Sequence, residues 1–431
     1  MAETRWEDSC AAVNTCALTG AAAFFAGIPD AVLVCNGPLW CYYHALRYLE
    51  QSCPGLSQRF FCTQPDNNAV IYGTEDCLAE TLRYIKEKTR PSLIFIENSC
   101  AISLIGDDSF GIARQANLSC PVIVMDGNGL TGGFREGYQG AARAFFKAAP
   151  LRTGQEILPQ TVNLLGCSVG YYNAGNDLTE LKRLLNLEGF QVLTAPGRDG
   201  SYEAIMQMAR AKLNIVVHEE LGGEIAEYLH RQYGMPYLTL LPPYGITASL
   251  EWLQRITETV KGKNAKLETA ALEADDLKER LQHKTQEIRR LWGELWFENT
   301  VVAASCSVAC GVSRALRREW ADTGHLTIAV PDGQTPACLQ EGVDQIIDTQ
   351  RDSVALEKEL VKLDGGLLFG SSNETNILMR QGISAAVTLN IALPVYDEVL
   401  LCDLPFMGLK GACHLQERLW NYYIRSRLQG H

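Results

Sequence analysis

Fifteen cysteines stand among 431 residues, and three of them hold positions where a thiol does chemistry. Cys41 closes VLVCNGPLWC, an apolar run followed by a Gly–Pro turn. Cys100 ends LIFIENSC and leads into the turn LIGDD. Cys16 lies in NTCALTGAAAF, ahead of the run that leads to Cys41. Turns that follow buried parallel strands converge on one edge of a sheet, so these three thiols can share a ligand. Thiolates at such wide spacing suit an iron–sulfur cluster. They form no paired CxxC pattern, so zinc-finger chemistry is not indicated. The bland reading is three separate buried thiols, the ordinary fate of free cysteine.

Further candidates follow other apolar runs. His218 ends NIVVH, and a neutral imidazole binds iron as well as accepting hydrogen bonds. Cys306 and Cys310 in AASCSVACGVSR fall on one face once a helix begins, which suits a metal cluster or a redox pair facing a cleft. The alternative packs Cys310 against a sheet and leaves Cys306 alone in the cleft. Glu374, in GSSNE, is a candidate acid or hydrogen-bond acceptor beside backbone amides. Asp107 and Asp108 of IGDD read as turn and cap residues. The glycine loop DGNGLTGG (126–133) lacks G-x-G-x-x-G, so no nicotinamide site is inferred, and APGRDGS reads as a turn.

The elements that must position these residues repeat one grammar: a short apolar run, a polar or glycine-rich turn, then an amphipathic helical stretch. Unbroken apolar runs followed by helices predict buried parallel strands in an α/β protein. Four blocks result: 1–150, 151–248, a charged helical connector at 249–298, and 299–431. The connector carries Ile256, Val260, Leu277, Leu281 and Ile288 at spacings of mostly three, four or seven, an amphipathic helix or helix pair. A formal charge of −12 argues against nucleic acid as partner. No uncharged apolar run of about 18 residues predicts a membrane span. MAETRWEDSC lacks a basic start and an apolar core, which predicts a cytoplasmic chain, and with the odd cysteine count argues against a disulfide framework.

Taken in order along nearly the whole chain, the motifs resemble nitrogenase component 1 and its relatives: catalytic subunits, cofactor-assembly scaffolds and dark-operative protochlorophyllide and chlorophyllide reductases. NGPLWC, the earlier Cys16, and Cys-x-x-x-x-Ile-Gly-Asp-Asp beginning at Cys100 carry the likeness most specifically. AVIYGTEDCL resembles the family's Phe-Gly-Gly segment. GNDLTELKRLLNLEGFQV and YGMPYLTLLPPYGI resemble its second domain, and LPVYDEVLLCDLPFMGLKGACHL its Gly-x-x-Gly-Ala segment. The resemblance implies three doubly wound Rossmann-like domains around a central cleft, with the last segment returning to the first domain. It implies that Cys16, Cys41 and Cys100 hold a four-iron cluster, or half of an eight-iron one, against a second component 1 subunit, itself or a paralogue. Electrons would come from a separate ATP-hydrolysing iron protein, and this sequence contains no G-x-x-x-x-G-K-[ST] phosphate loop.

The sequence departs from nitrogenase proper where the large cofactor is held. Aligning on YGMPY places His218 where the family has the cofactor cysteine. The family's C-terminal histidine has no counterpart, and Glu398 or Cys402 lies nearby instead. The resemblance therefore implies an iron–sulfur reductase of another small molecule or a tetrapyrrole, with His218, Cys306 and Cys310 as candidates for a second metal centre. Two alternatives stand beside it: a scaffold for cofactor assembly, and a non-catalytic β-type partner subunit.

Overall fold

The computed structural model describes residues 15–66, 69, 73–126, 129–331 and 342–429. Two of the sequence motifs lie partly outside these residues: the Phe-Gly-Gly-like segment at 70–72 and the glycine loop at 127–128.

Three parallel sheets organise the chain, each built from apolar runs too uniform to leave a face in water. The first has the order β2-β1-β3-β4, with β1 (Ala31–Asn36), β2 (Phe60–Cys62), β3 (Leu93–Asn98) and β4 (Val122–Met125). Its helices are α1 (Ala17–Ala26), α2 (Leu39–Leu49), α3 (Glu75–Lys88), α4 (Cys100–Ile105), α5 (Ser109–Gln115) and α6 (Phe134–Ala148). Every residue of β1 and β3 is buried. The second sheet is β6-β5-β7-β8, from β5 (Leu158–Leu165), β6 (Gln191–Thr194), β7 (Ala211–Val216) and β8 (Tyr237–Thr239). With it come α7 (Ala174–Leu187), α8 (Tyr202–Met206) and α9 (Glu219–Tyr233).

Two helices, α10 (Ile246–Lys261) and α11 (Thr269–Trp292), lead to the third sheet, β11-β10-β9-β12-β13. Its strands are β9 (Trp296–Ala303), β10 (Asp322–Val330), β11 (Gln345–Asp348), β12 (Leu367–Gly370) and β13 (Val387–Asn390). Helices α12 (Cys306–Ala315), α13 (Ser353–Leu360), α14 (Ser372–Arg380) and α15 (Gly408–Gln429) complete it. One core joins the second and third sheets through the two connecting helices. The final helix α15 packs on α7, β13, α10 and α11. Where the sequence analysis returned this last segment to the first block, the structure shows a hydrogen bond from the Val395 N–H to Gln51 Oε1.

The first sheet's cysteines depend on one close helix contact. All ten residues of α1, ALTGAAAFFA, are buried, and small side chains let it lie against α6. A Cβ on Gly137 would stand 1.8 Å from the Ala17 carbonyl oxygen, and one on Gly20 1.9 Å from that of Phe134. Only glycine permits this approach. It brings the start of α1 beside the glycine loop, where Cys16 bridges Gly133 and the Ala17 N–H donates to Gly132 O at 3.1 Å.

Candidate functional site

Cys16, Cys41 and Cys100 each sit at the beginning of a helix. Cys16 is the N-cap of α1, Cys41 lies in the first turn of α2, and Cys100 opens α4 directly after β3. Gly129 lies between two of them. Its N–H donates to Cys100 Sγ at 3.1 Å, and a Cβ there would stand 3.4 Å from Cys16 Cβ and 3.6 Å from Cys100 Sγ. Cys41 feels both neighbours: burial, then the thiols of Cys16 and Cys100, push its thiol up to about 11. A thiol held protonated beside two others is part of a donor set that a cationic centre would stabilise. Among the described residues no three His, Cys, Asp or Glu side chains could hold a metal ion together. In an iron–sulfur cluster each thiolate would bind its own iron, so three separate thiols are a donor set that such a cluster could use.

Beneath the thiols lies a residue that sequence reading passed over. Glu97, in β3, is 2% exposed, and its Oε1 has no hydrogen-bond partner among the described residues. Burial, reinforced by Cys16, holds its carboxyl well above the usual carboxylate range. An acid inside the apolar run LIFIEN was the available signal. Around the thiols the surface is apolar. Leu39, Trp40 and Tyr43 on α2, Leu104 on α4, Phe110 on α5 and nearby Leu130 are all exposed, Trp40 by 70% and Leu104 by 75%.

A second feature is a cavity of about 330 Å³ at the junction of the three sheets. The first sheet's part of the chain contributes Phe134 and Arg135, the second Tyr171 and His218, the third Ser305 and Glu374. His218 caps α9 at the end of β7 and is buried. Its Nδ1 meets Ser307 Oγ at 2.7 Å, Ser307 donates to Glu220 Oε1 at 2.8 Å, and the Tyr171 hydroxyl donates to the same oxygen at 2.8 Å. The Tyr171 ring packs edge-on to the imidazole, centroids 4.5 Å apart. Burial lowers the His218 pKa to about 4, so the ring is neutral near pH 7.

Three expectations need correction. Cys306 and Cys310 do share one face of α12, but it is the core face. They are 1% and 5% exposed, and the cavity wall beside them is Ala303, Ala304, Ser305 and Val308. α12 packs on β9 and β10 of its own sheet and on α9, and the apolar core there takes both thiols away from the cleft. The constellation of His218, Cys306 and Cys310 is therefore not assembled, and Ser307 meets the imidazole instead. Glu398 is likewise taken, in an ion pair with Arg418, and also accepts from Asn390 Nδ2 at 3.1 Å. It does not line the cavity, and Cys402 is exposed.

Glu374 does line the cavity, with its carboxylate engaged at the start of α14, accepting from the Ser371 N–H at 2.8 Å and hydroxyl at 2.6 Å. Asp107 accepts from the Thr74 N–H and hydroxyl, both at 2.6 Å, and Asp108 caps α5 through the Gly111 N–H at 2.8 Å. Asp177 was missed. Buried in the cavity wall on α7, its Oδ1 accepts the N–H groups of Phe406 at 2.6 Å and Met407 at 2.9 Å. It ties the segment before α15 to the second sheet. Ser307, Glu220 and Tyr171 were missed because hydroxyls and single acids around a cleft carry no spacing pattern.

No helix among the described residues is long and apolar enough to cross a membrane. The B chain of the light-independent protochlorophyllide reductase of Chloroflexus aurantiacus (strain J-10-fl) is 28% identical over 371 residues, 80% of this chain. The aligned stretch spans 65% of that relative. The nitrogenase iron-molybdenum cofactor biosynthesis protein NifE of Clostridium pasteurianum is 26% identical over 261 residues, 60% of this chain and 56% of its own length. The solved structure of nitrogenase Cp1 at pH 6.5 matches the fold with a TM-score of 0.76 at 15% identity, covering 96% of this chain and 93% of that one. The family model for nitrogenase component 1 type oxidoreductases matches residues 16–423, and the chain belongs to that family.

Proposed function

We propose that the chain is a subunit of a nitrogenase-like reductase, holding an iron–sulfur cluster on Cys16, Cys41 and Cys100 at an interface with a second component 1 subunit. One observation supports this above the others: three thiols at three helix starts, gathered beside one glycine loop and ringed by exposed apolar side chains. Three thiols leave a cluster with an open ligand position, and an exposed apolar ring is the surface that a partner covers.

When bound, the cluster supplies one-electron transfer. The chain's own residues do the rest. The Gly129 N–H donates to the sulfur of Cys100, one of the three proposed cluster ligands. Phe134 follows Gly133, which bridges Cys16, and its ring stacks on Tyr171, which touches His218. The thiol site and the cavity are thus joined by contiguous packed residues. The cavity, part apolar and part hydrogen-bonding, is of a size to enclose an organic substrate.

A reductase is favoured over an assembly scaffold because the likeness to the reductase relative spans 80% of this chain and that to NifE 60%. The test is reconstitution under anaerobic conditions with a partner subunit and an ATP-hydrolysing iron protein. Cluster reduction that requires ATP, followed by electron paramagnetic resonance, supports the reading. A complex that binds its cluster but takes up no electrons with ATP would return the chain to the scaffold class.

A further inference from the structure

The polar chain on the cavity wall has a property that the cluster site does not explain. Ser307 Oγ carries one proton and touches both His218 Nδ1 at 2.7 Å and Glu220 Oε1 at 2.8 Å. With Glu220 ionised, Ser307 must donate to the carboxylate. His218 then donates from Nδ1, and its Nε2 is a bare lone pair. With Glu220 protonated, every bond can reverse: Glu220 donates to Ser307, Ser307 to Nδ1, and the ring proton sits on Nε2. The two arrangements share one set of heavy-atom positions and differ by one proton. In neither is the imidazole charged, in keeping with its burial.

We infer that Glu220, Ser307 and His218 form a one-proton relay that supplies the cavity. The inference rests on the reductive reading, because reduction consumes protons. For each electron that an iron–sulfur donor gives to the bound substrate, the His218 Nε2–H bond breaks and its proton goes to the substrate. The Ser307 hydroxyl proton passes to Nδ1 and the Glu220 proton to Ser307 Oγ. Glu220 is left as a carboxylate, to be reprotonated from water.

The surroundings suit this traffic. Glu220, Ser307 and His218 are all buried, so protons follow the chain rather than bulk water. The Tyr171 hydroxyl donates to Glu220 Oε1 and the Gln139 amide donates to the Glu220 backbone carbonyl at 2.8 Å, which together fix where the carboxyl sits. Glu220 forms no ion pair with lysine or arginine among the described residues that would lock it as a carboxylate. Ser307 comes from the third sheet's first helix while Glu220 and His218 flank the end of β7, so docking of these two parts assembles the relay. Ser307 and Glu220 are positioning residues, and His218 is the group that faces the substrate.

The test begins on the full chain alone, with imidazole-¹⁵N-labelled histidine. His218 is assigned by its loss in His218→Gln. Near neutral pH the wild type should show a protonated Nδ1 and a bare Nε2. Ser307→Ala should abolish that bias and leave the two tautomers mixed, and Ser307→Thr, which keeps the hydroxyl, should restore it. Glu220→Gln should shift the ring toward Nε2–H. A tautomer unchanged in both Ser307→Ala and Glu220→Gln overturns the relay, whether or not the chain is a reductase. In the reconstituted complex, Ser307→Ala should leave ATP-dependent reduction of the cluster intact while product formation falls ~10²-fold with a larger solvent deuterium effect. Equal product formation in Ser307→Ala and wild type also overturns it. Failure of the cluster to accept electrons in the wild type counts against the reductive reading instead.

Discussion

Replacing Asp177 by asparagine should reverse a pH dependence that the buried carboxyl imposes on folding. Burial pushes this carboxyl up to about 7, outweighing the two N–H groups of Phe406 and Met407 that favour its charge. Relative to its ordinary 3.8, that is ~4 kcal/mol of differential proton affinity at about 1.36 kcal/mol per tenfold. The folded chain holds the proton more tightly than the unfolded one. This contribution is therefore fully present below about pH 4, declines as pH rises towards 7, and is gone above it. His218 works in the opposite sense. Its ring resists protonation until about 4 against an ordinary 6.5, so its contribution, up to ~3 kcal/mol, is present above 6.5 and is lost as pH falls towards 4. In the wild type the two slopes largely offset one another. An asparagine in place of Asp177 keeps an oxygen for both N–H groups but cannot titrate, which leaves the His218 slope exposed. Urea unfolding followed by circular dichroism at pH 4.5 and 7.5 measures this. Asp177→Asn should gain ~3 kcal/mol relative to wild type between the two pH values, part of the full difference being already lost at pH 4.5. A difference between the two chains that stays constant with pH would refute the reasoning.

Gly137→Ala should destabilise the chain by at least ~1–3 kcal/mol, because the new methyl drives α6 from α1, and it should weaken iron uptake by displacing Cys16. Thermal unfolding and iron assay check both, and an unchanged melting temperature would speak against the close contact. Trp40→Glu, in the exposed apolar ring, should weaken association with the partner subunit at least ~10-fold, measured by sedimentation; undiminished association would place the interface elsewhere. Cys306→Ser and Cys310→Ser should each cost ~1–3 kcal/mol of stability and leave iron per chain unchanged. Iron loss in either would restore the discarded metal centre.

The parallel sheets were legible because their strands are buried on both faces, so LIFIEN and AVLVCN read as unbroken apolar runs. The placement of Cys41 and Cys100 at helix starts was legible because each follows a buried strand and a distinctive turn. Cys306 and Cys310 misled for the opposite reason. Helical spacing shows that two residues share a face but not which face, and packing of α12 on β9, β10 and α9 chose the core. Ser307, between them, carries the polar contact. Glu220 and Asp177 escaped notice because their roles arise from partners 87 and 229 residues away in sequence. Glu97 was hidden by the apolar run that contains it.

The central claim is that Cys16, Cys41 and Cys100 together hold the cluster, and metal content tests it most directly. Iron and acid-labile sulfide per chain, measured after anaerobic purification with the partner subunit, should be substantial in the wild type. They should fall to background when all three cysteines are changed to alanine, with the brown absorbance lost in parallel. Iron and sulfide retained at wild-type levels in the triple variant would contradict the account.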